Sequence, residues 1–115
     1  PAFYSRKSGV SAICRLDSPE EIGALISMKE ELGLKGGVLV TCPIPEKDEI
    51  PAEEINVVID KAIEEAEEKG IKGKESTPFL LSKVKDLTEG RSLEANIKLV
   101  LNNAEIGARI ACNIK

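Results

Sequence analysis

Histidine does not occur anywhere in the 115 residues. Its absence removes Ser-His-Asp and Cys-His catalysis from within this chain, along with any imidazole metal ligand. Acid/base or covalent chemistry must therefore use carboxylates, Lys, Tyr or groups from another polypeptide. Tryptophan is missing too, and one Tyr and two Phe are the only aromatics, so the core is expected to be aliphatic. No apolar run approaches the roughly 20 residues of a membrane-spanning helix, and the start of the chain has no signal-peptide pattern; the expectation is a cytoplasmic protein with no membrane partner. Basic residues show no excess either. The net charge is −4 with both signs interleaved, and no Lys/Arg stripe alternates with aromatics, which argues against nucleic-acid binding. Cys14, Cys42 and Cys112 are odd in number, with neither CxxC nor ligand spacing, and are expected to be reduced, buried thiols.

The length allows one small domain, which folded alone would bury only about two-thirds of its unfolded surface. Pro1 in place of Met leads to the expectation of a fragment, a processed product or a numbering that starts inside a longer protein. Residues 1–115 are read as a single segment, with no internal repeat and no sign of a second domain. Ala2, Phe3 and Tyr4 precede a polar turn, Ser5–Gly9, in which Ser5 and Arg6 could meet an anion, although an exposed turn is the simpler reading. Val10 to Leu16 alternates as a short strand would. Ser18-Pro19-Glu20-Glu21 carries an N-cap, a first-turn Pro and a Glu three residues after the cap; the helix it starts is expected to close at Gly33.

Gly36 to Cys42 is a compact β-branched run stopped by Pro43-Ile44-Pro45, which predicts a buried strand. The segment Cys42–Pro45, where that strand would end, is a place for ligand contacts in open α/β sheets, though a rigid exit from the sheet is the simpler alternative. Pro51 starts a helix with a clean stripe of Ile55, Val58, Ile59, Ala62, Ile63 and Ala66, ending at Gly70. Its Glu64, Glu65, Glu67 and Glu68 read as a solvated face, not as an acid/base pair. Thr77-Pro78 repeats the cap-plus-Pro device. Thr77 is expected as an N-cap, and with Lys74 and Ser76 it could face a phosphate at the helix start. Gly90 breaks that helix, and Ser92 is expected to cap the last one. The fold class read from these elements is α/β, with short strands flanked by amphipathic helices and a C-terminal helical hairpin.

The final helix carries most of the chemistry. At about 100° per residue, Glu94, Lys98, Glu105 and Arg109 share a solvent-seeking face. The opposite side holds Leu93, Ile97, Leu99, Val100, Ala104, Ile106, Ala108, Ile110 and Ala111 and is expected to be dry. Asn96, Asn103 and Gly107 fall along its centre line, while Asn102 sits at the polar margin. A buried amide without a partner costs about 1–3 kcal/mol, so Asn96 and Asn103 must bond to the protein, to water or to a ligand. Tying a loop backbone to the helix is the ordinary use of such residues. Gly107 suggests close approach of another backbone, since a mid-helix Gly loses about 1 kcal/mol relative to Ala.

Taken together, PAFYSR at residues 1–6, GGVLV at 36–40 followed by PIPE at 43–46, GKESTPFLL at 73–81 and SLEANIKLVLNNA at 92–104 resemble, in order and spacing, the C-terminal portion of pseudouridine-5′-phosphate glycosidases, a family that includes indigoidine-synthase-A-like proteins. The resemblance implies a trimeric α/β enzyme that depends on a divalent metal such as Mn²⁺. It reversibly cleaves the C–C glycosidic bond of pseudouridine 5′-phosphate to uracil and ribose 5-phosphate. A Lys Schiff base, a Glu acid/base and a metal-holding Asp belong to the portion preceding Pro1 and map onto no residue here.

The Asn of the SLxxN segment does carry over, as Asn96, an amide expected to contact the sugar or its opened intermediate, with Asn103 as its support. A C–C glycoside has a poor leaving group, and an imine of the opened sugar supplies an electron sink; a neutral amide can orient such an intermediate without shifting a nearby Lys. One departure is Cys42, where family members often carry Asn before Pro-Ile-Pro. The resemblance thus implies a part of a C-glycosidase that is inactive alone and is completed by an N-terminal partner segment. The alternatives are a non-catalytic assembly module, using apolar stripes to bind a partner or itself, and a remnant without activity.

Overall fold

The computed structural model describes all residues, Pro1–Lys115, and helices are its only regular secondary structure. Four α-helices, α1 (Pro19–Glu31), α2 (Ala52–Glu68), α3 (Ser76–Leu87) and α4 (Arg91–Cys112), are joined by extended chain and two single turns of 3₁₀-helix, Glu46–Asp48 and Gly73–Glu75.

Local chemistry sets most of the boundaries. The Ser18 hydroxyl accepts from the Glu21 N–H at 3.2 Å while the Glu21 carboxylate accepts from the Ser18 N–H at 3.1 Å, a reciprocal cap that satisfies two donors left open at a helix start. At the other end of α1, Gly33 takes φ +65°. It donates to the Glu30 carbonyl while Leu34 donates to that of Lys29, so the left-handed residue closes the helix. α2 begins after Pro51 and ends just before Gly70, as its stripe predicts. Two caps differ from expectation. α3 starts at Ser76, leaving Thr77 inside the first turn with no capping bond. α4 starts at Arg91 after left-handed Gly90, and Ser92 is a buried helical residue whose N–H donates to the Thr88 hydroxyl at 3.1 Å.

The core lies between α2, α3 and the first half of α4. Ile55 and Ala62 from α2, Val84 from α3, and Ala95 and Leu99 from α4 meet Tyr4, Ile44 and Ile50 from the loops. The N-terminal strip is fixed there by Ile50 N–H donating to the Tyr4 carbonyl at 2.8 Å. The Arg6 guanidinium donates to the Ile44 carbonyl at 2.8 Å, and its N–H donates to Glu49 at 2.9 Å. Arg6 is thus a brace between two loops. Glu65 joins α2 to α3 by pairing with Lys69 and Lys83, each at 2.6 Å. α1 packs apart from this core, on the C-terminal half of α4. Gly23 makes that possible: a Cβ there would stand 2.7 Å from Asn113.

The expected α/β architecture is not present. Neither Val10–Leu16 nor Gly36–Cys42 is a strand, and the chain contains no sheet. A strand exists only through a neighbour that pairs its backbone, and no backbone–backbone hydrogen bond involves residues 35–42. The apolar side chains of that run are accordingly uncovered, Leu39 at 89%. Cys14 and Cys112 are exposed and only Cys42 is half-buried, again because the elements expected to cover them are not there. The molecule is elongated, 52 × 31 × 22 Å, with a radius of gyration of 17.2 Å, against about 13 Å for a compact domain of this size.

Candidate functional site

α4 has two apolar sides, where the sequence suggests one. The inner side, Ser92, Ala95, Leu99 and Ile110, is buried. The outer side, Leu93, Ile97, Val100 and Leu101, faces away from the chain, and Ala104, Gly107, Ala108 and Ala111 continue it. Asn96 and Asn103 fall on the seam between the two sides, not at the centre of a dry stripe. Asn96 is half-buried and Asn103 exposed. The difference arises because the loops and α3 reach the first two turns of α4, whereas nothing covers the seam where Asn103 stands.

Asn96 borders a small depression of about 30 Å³ with Tyr4, Leu81, Lys85, Ser92 and Leu93. That space suits a single water or a functional group; a sugar phosphate needs more. Its polar rim is nevertheless suited to an oxygen-rich ligand: a carboxamide that can donate and accept, an ammonium, a hydroxyl and a phenol. Lys85 and Leu81 come from consecutive turns of α3, which places them beside the start of α4 through the tight 88–90 turn. The Asn96 side chain is not engaged by other residues, whereas its neighbour along the helix, Asn102, donates to the Pro43 carbonyl at 3.4 Å. Loop tying is therefore the work of Asn102, which periodicity relegates to the polar margin.

Burial pushes the Tyr4 phenol above its ordinary value, and a hydrogen bond with Ser92 partly opposes this. The phenol consequently stays neutral and available as a donor. Burial also raises the Cys42 thiol, so it is a poor thiolate nucleophile. Thr77 is exposed on the first turn of α3, and Asn103 is two helical turns from Asn96, about 10 Å along the axis. Neither borders the depression. A second, wider groove of about 460 Å³ is lined by Arg6, Lys7, Ser8 and Arg15 among others. Its cations are partly engaged, Arg6 with Ile44 and Arg15 with Asp17 at 2.7 Å.

No three His, Cys, Asp or Glu side chains converge as the complete ligand set of a metal would. No helix is long and apolar enough to cross a membrane. Sequence reasoning missed Tyr4, Lys85 and Ser92 as neighbours of Asn96. Only Ser92 carried a usable signal, lying four residues before Asn96 on one helical face.

The chain is an all-helical segment with one polar corner beside Asn96 and an open apolar face on α4. The indigoidine synthase A-like protein family model matches residues 1–113, and the chain belongs to that family. It is 57% identical over 111 residues to the pseudouridine-5′-phosphate glycosidase of Lysinibacillus sphaericus, covering 96% of this chain and 36% of that protein. The enzyme of the same name from Clostridium botulinum is 53% identical over 114 residues, covering 99% of this chain and 37% of the relative. That of Methylobacterium nodulans is 55% identical over 115 residues, covering 100% and 34%. The chain thus spans little more than a third of the length of these curated relatives.

Proposed function

We propose that this chain is the C-terminal, amide-bearing part of an enzyme that reversibly cleaves the C–C glycosidic bond of pseudouridine 5′-phosphate. The observation that carries the reading is Asn96: a half-buried carboxamide, unengaged within the chain, on a polar depression that also presents Lys85, Ser92 and Tyr4. Family membership and the activity for which the relatives are named suggest the substrate.

In this reading Asn96 orients the hydroxyl or carbonyl oxygens of the opened sugar. Its amide donates and accepts at once and carries no charge to disturb a nearby amine. Tyr4 and Ser92 hold the corner of α4 that fixes Asn96. The Schiff-base Lys, the Glu acid/base group and the ligands of a divalent metal such as Mn²⁺ lie on polypeptide outside these 115 residues, and the working assembly is a trimer. Bound metal would supply Lewis-acid polarisation of substrate oxygen, and no side chain described above takes part in holding it.

The test is to replace the matched segment of the Lysinibacillus sphaericus enzyme by this chain and to measure uracil release from pseudouridine 5′-phosphate. The chimera is expected to turn over and the isolated chain is not. Release by the isolated chain, or a folded chimera with no activity, overturns the proposal.

A further inference from the structure

The outer face of α4 is built for contact that these 115 residues do not provide. Leu93, Ile97 and Val100 are 43%, 51% and 58% exposed and lie on successive turns, so they form one patch instead of scattered surface residues. The patch continues into Ala104, Gly107 and Ala108, all exposed. Gly107 sits in the helix interior at a conformation any residue adopts, and a Cβ added there meets nothing within 4 Å. Within this chain Gly107 therefore has no packing reason, although glycine is the poorest helix former after proline. At Gly23, by contrast, the reason is visible as the close approach of Asn113. The elongated shape agrees with an apolar face awaiting a cover.

We infer that this face, centred on Ile97, Val100 and Gly107, seats the polypeptide corresponding to the unmatched two-thirds of the glycosidase relatives, whether it is joined to this chain or separate. The inference rests on the proposed function for the identity of the occupant. The size of the missing share favours it over a second copy: the relatives carry nearly two residues outside the match for each one inside it. The location also has a chemical consequence. Asn96 and Asn103 run along the edge of this face, so a body seated there closes over both amides and turns the shallow depression beside Asn96 into an enclosed site. The smooth strip at Ala104, Gly107 and Ala108 lets a partner backbone come close, while Leu93, Ile97 and Val100 supply the apolar anchor.

Hydroxyl-radical footprinting of the isolated chain and of the chimera with the Lysinibacillus sphaericus remainder tests this directly. Oxidation of Leu93, Ile97 and Val100 is expected to fall at least tenfold in the chimera, with exposed Leu39 read alongside. Equal oxidation in both overturns the inference. Protection already present in the isolated chain, with a dimer in sedimentation, overturns it in favour of a second copy.

Gly107→Ala supplies an independent reading: it should raise the melting temperature of the isolated chain and lower that of the chimera. A rise in both overturns close approach at Gly107. Ile97→Glu should leave the isolated chain unchanged and weaken association of the separately expressed pieces at least tenfold; unchanged association sinks the proposal even where the chimera fails to fold. Activity is scored separately. Protection without uracil release removes the proposed reaction and keeps the interface, whereas release without protection does the reverse.

Discussion

The two sides of α4 differ less in composition than in what stands opposite them. Inner Leu99 and Ala95 touch Tyr4, Ile44, Ile55 and Val84 in one cluster, while outer Val100 and Ile97, equally apolar, meet no such cluster and stay more than half exposed. Hydrophobic side chains tell a helix which faces can be buried; a neighbour decides which face is. The same contrast explains the two glycines, one enclosed by Asn113 and one open to solvent.

The largest effect that would break this comparison is Leu99→Ala set against Val100→Ala. Losing the buried side chain is expected to cost about 2–5 kcal/mol by transfer and cavity terms, and the outer substitution within about 0.5 kcal/mol, both from urea unfolding of the isolated chain. Equal costs would show that the outer face is covered in solution. In the chimera, Asn96→Ala should lower turnover about 100-fold, the scale of a misoriented reactant, while Asn103→Ala, away from the depression, lowers it only a few-fold. Similar losses would mean that both amides touch the sugar. A smaller effect is expected at Asn102→Ala, about 1 kcal/mol for one loop-tying hydrogen bond, without loss of turnover beyond its effect on folding.

The smallest effect concerns Tyr4. Its phenol has a folded-state value raised above the ordinary 10.0 by burial, so both states are neutral well below pH 10 and its contribution is complete there. As pH rises through 10 the unfolded state ionises first and binds fewer protons, and stability falls until the folded phenol also ionises. Urea midpoints of the parent chain should drop more steeply across that window than those of Tyr4→Phe. Parallel curves would mean that the phenol is open to water.

Local signals were legible wherever a few adjacent residues settle the outcome. Ser18, Pro19 and Glu21 marked a helix start because the cap closes within four residues, and Gly33 and Gly70 marked stops because only a left-handed residue closes those turns cheaply. The stripe of α2 was clear because its apolar positions occupy one side only. At 36–42 the same reasoning failed. β-branched residues favour an extended chain, but a strand needs hydrogen bonds from a partner that these residues do not find. Thr77 and Ser92 were misplaced by a turn or less because a 3₁₀ turn and a left-handed glycine began those helices instead.

For the candidate site, the sequence by itself determined that α4 is a long helix and that Asn96 and Asn103 lie on one line of it, since helical spacing depends on local geometry alone. It also carried the family resemblance that singles out Asn96. The tertiary structure decided that this line is a seam between a covered and an uncovered apolar face. It brought Tyr4 and Lys85 beside Asn96 and gave the loop-tying bond to Asn102. Those outcomes depend on loops and helices distant in sequence, because a helix that is apolar on two sides offers more than one burial solution, and only the positions of Tyr4, Pro43 and α1 select among them.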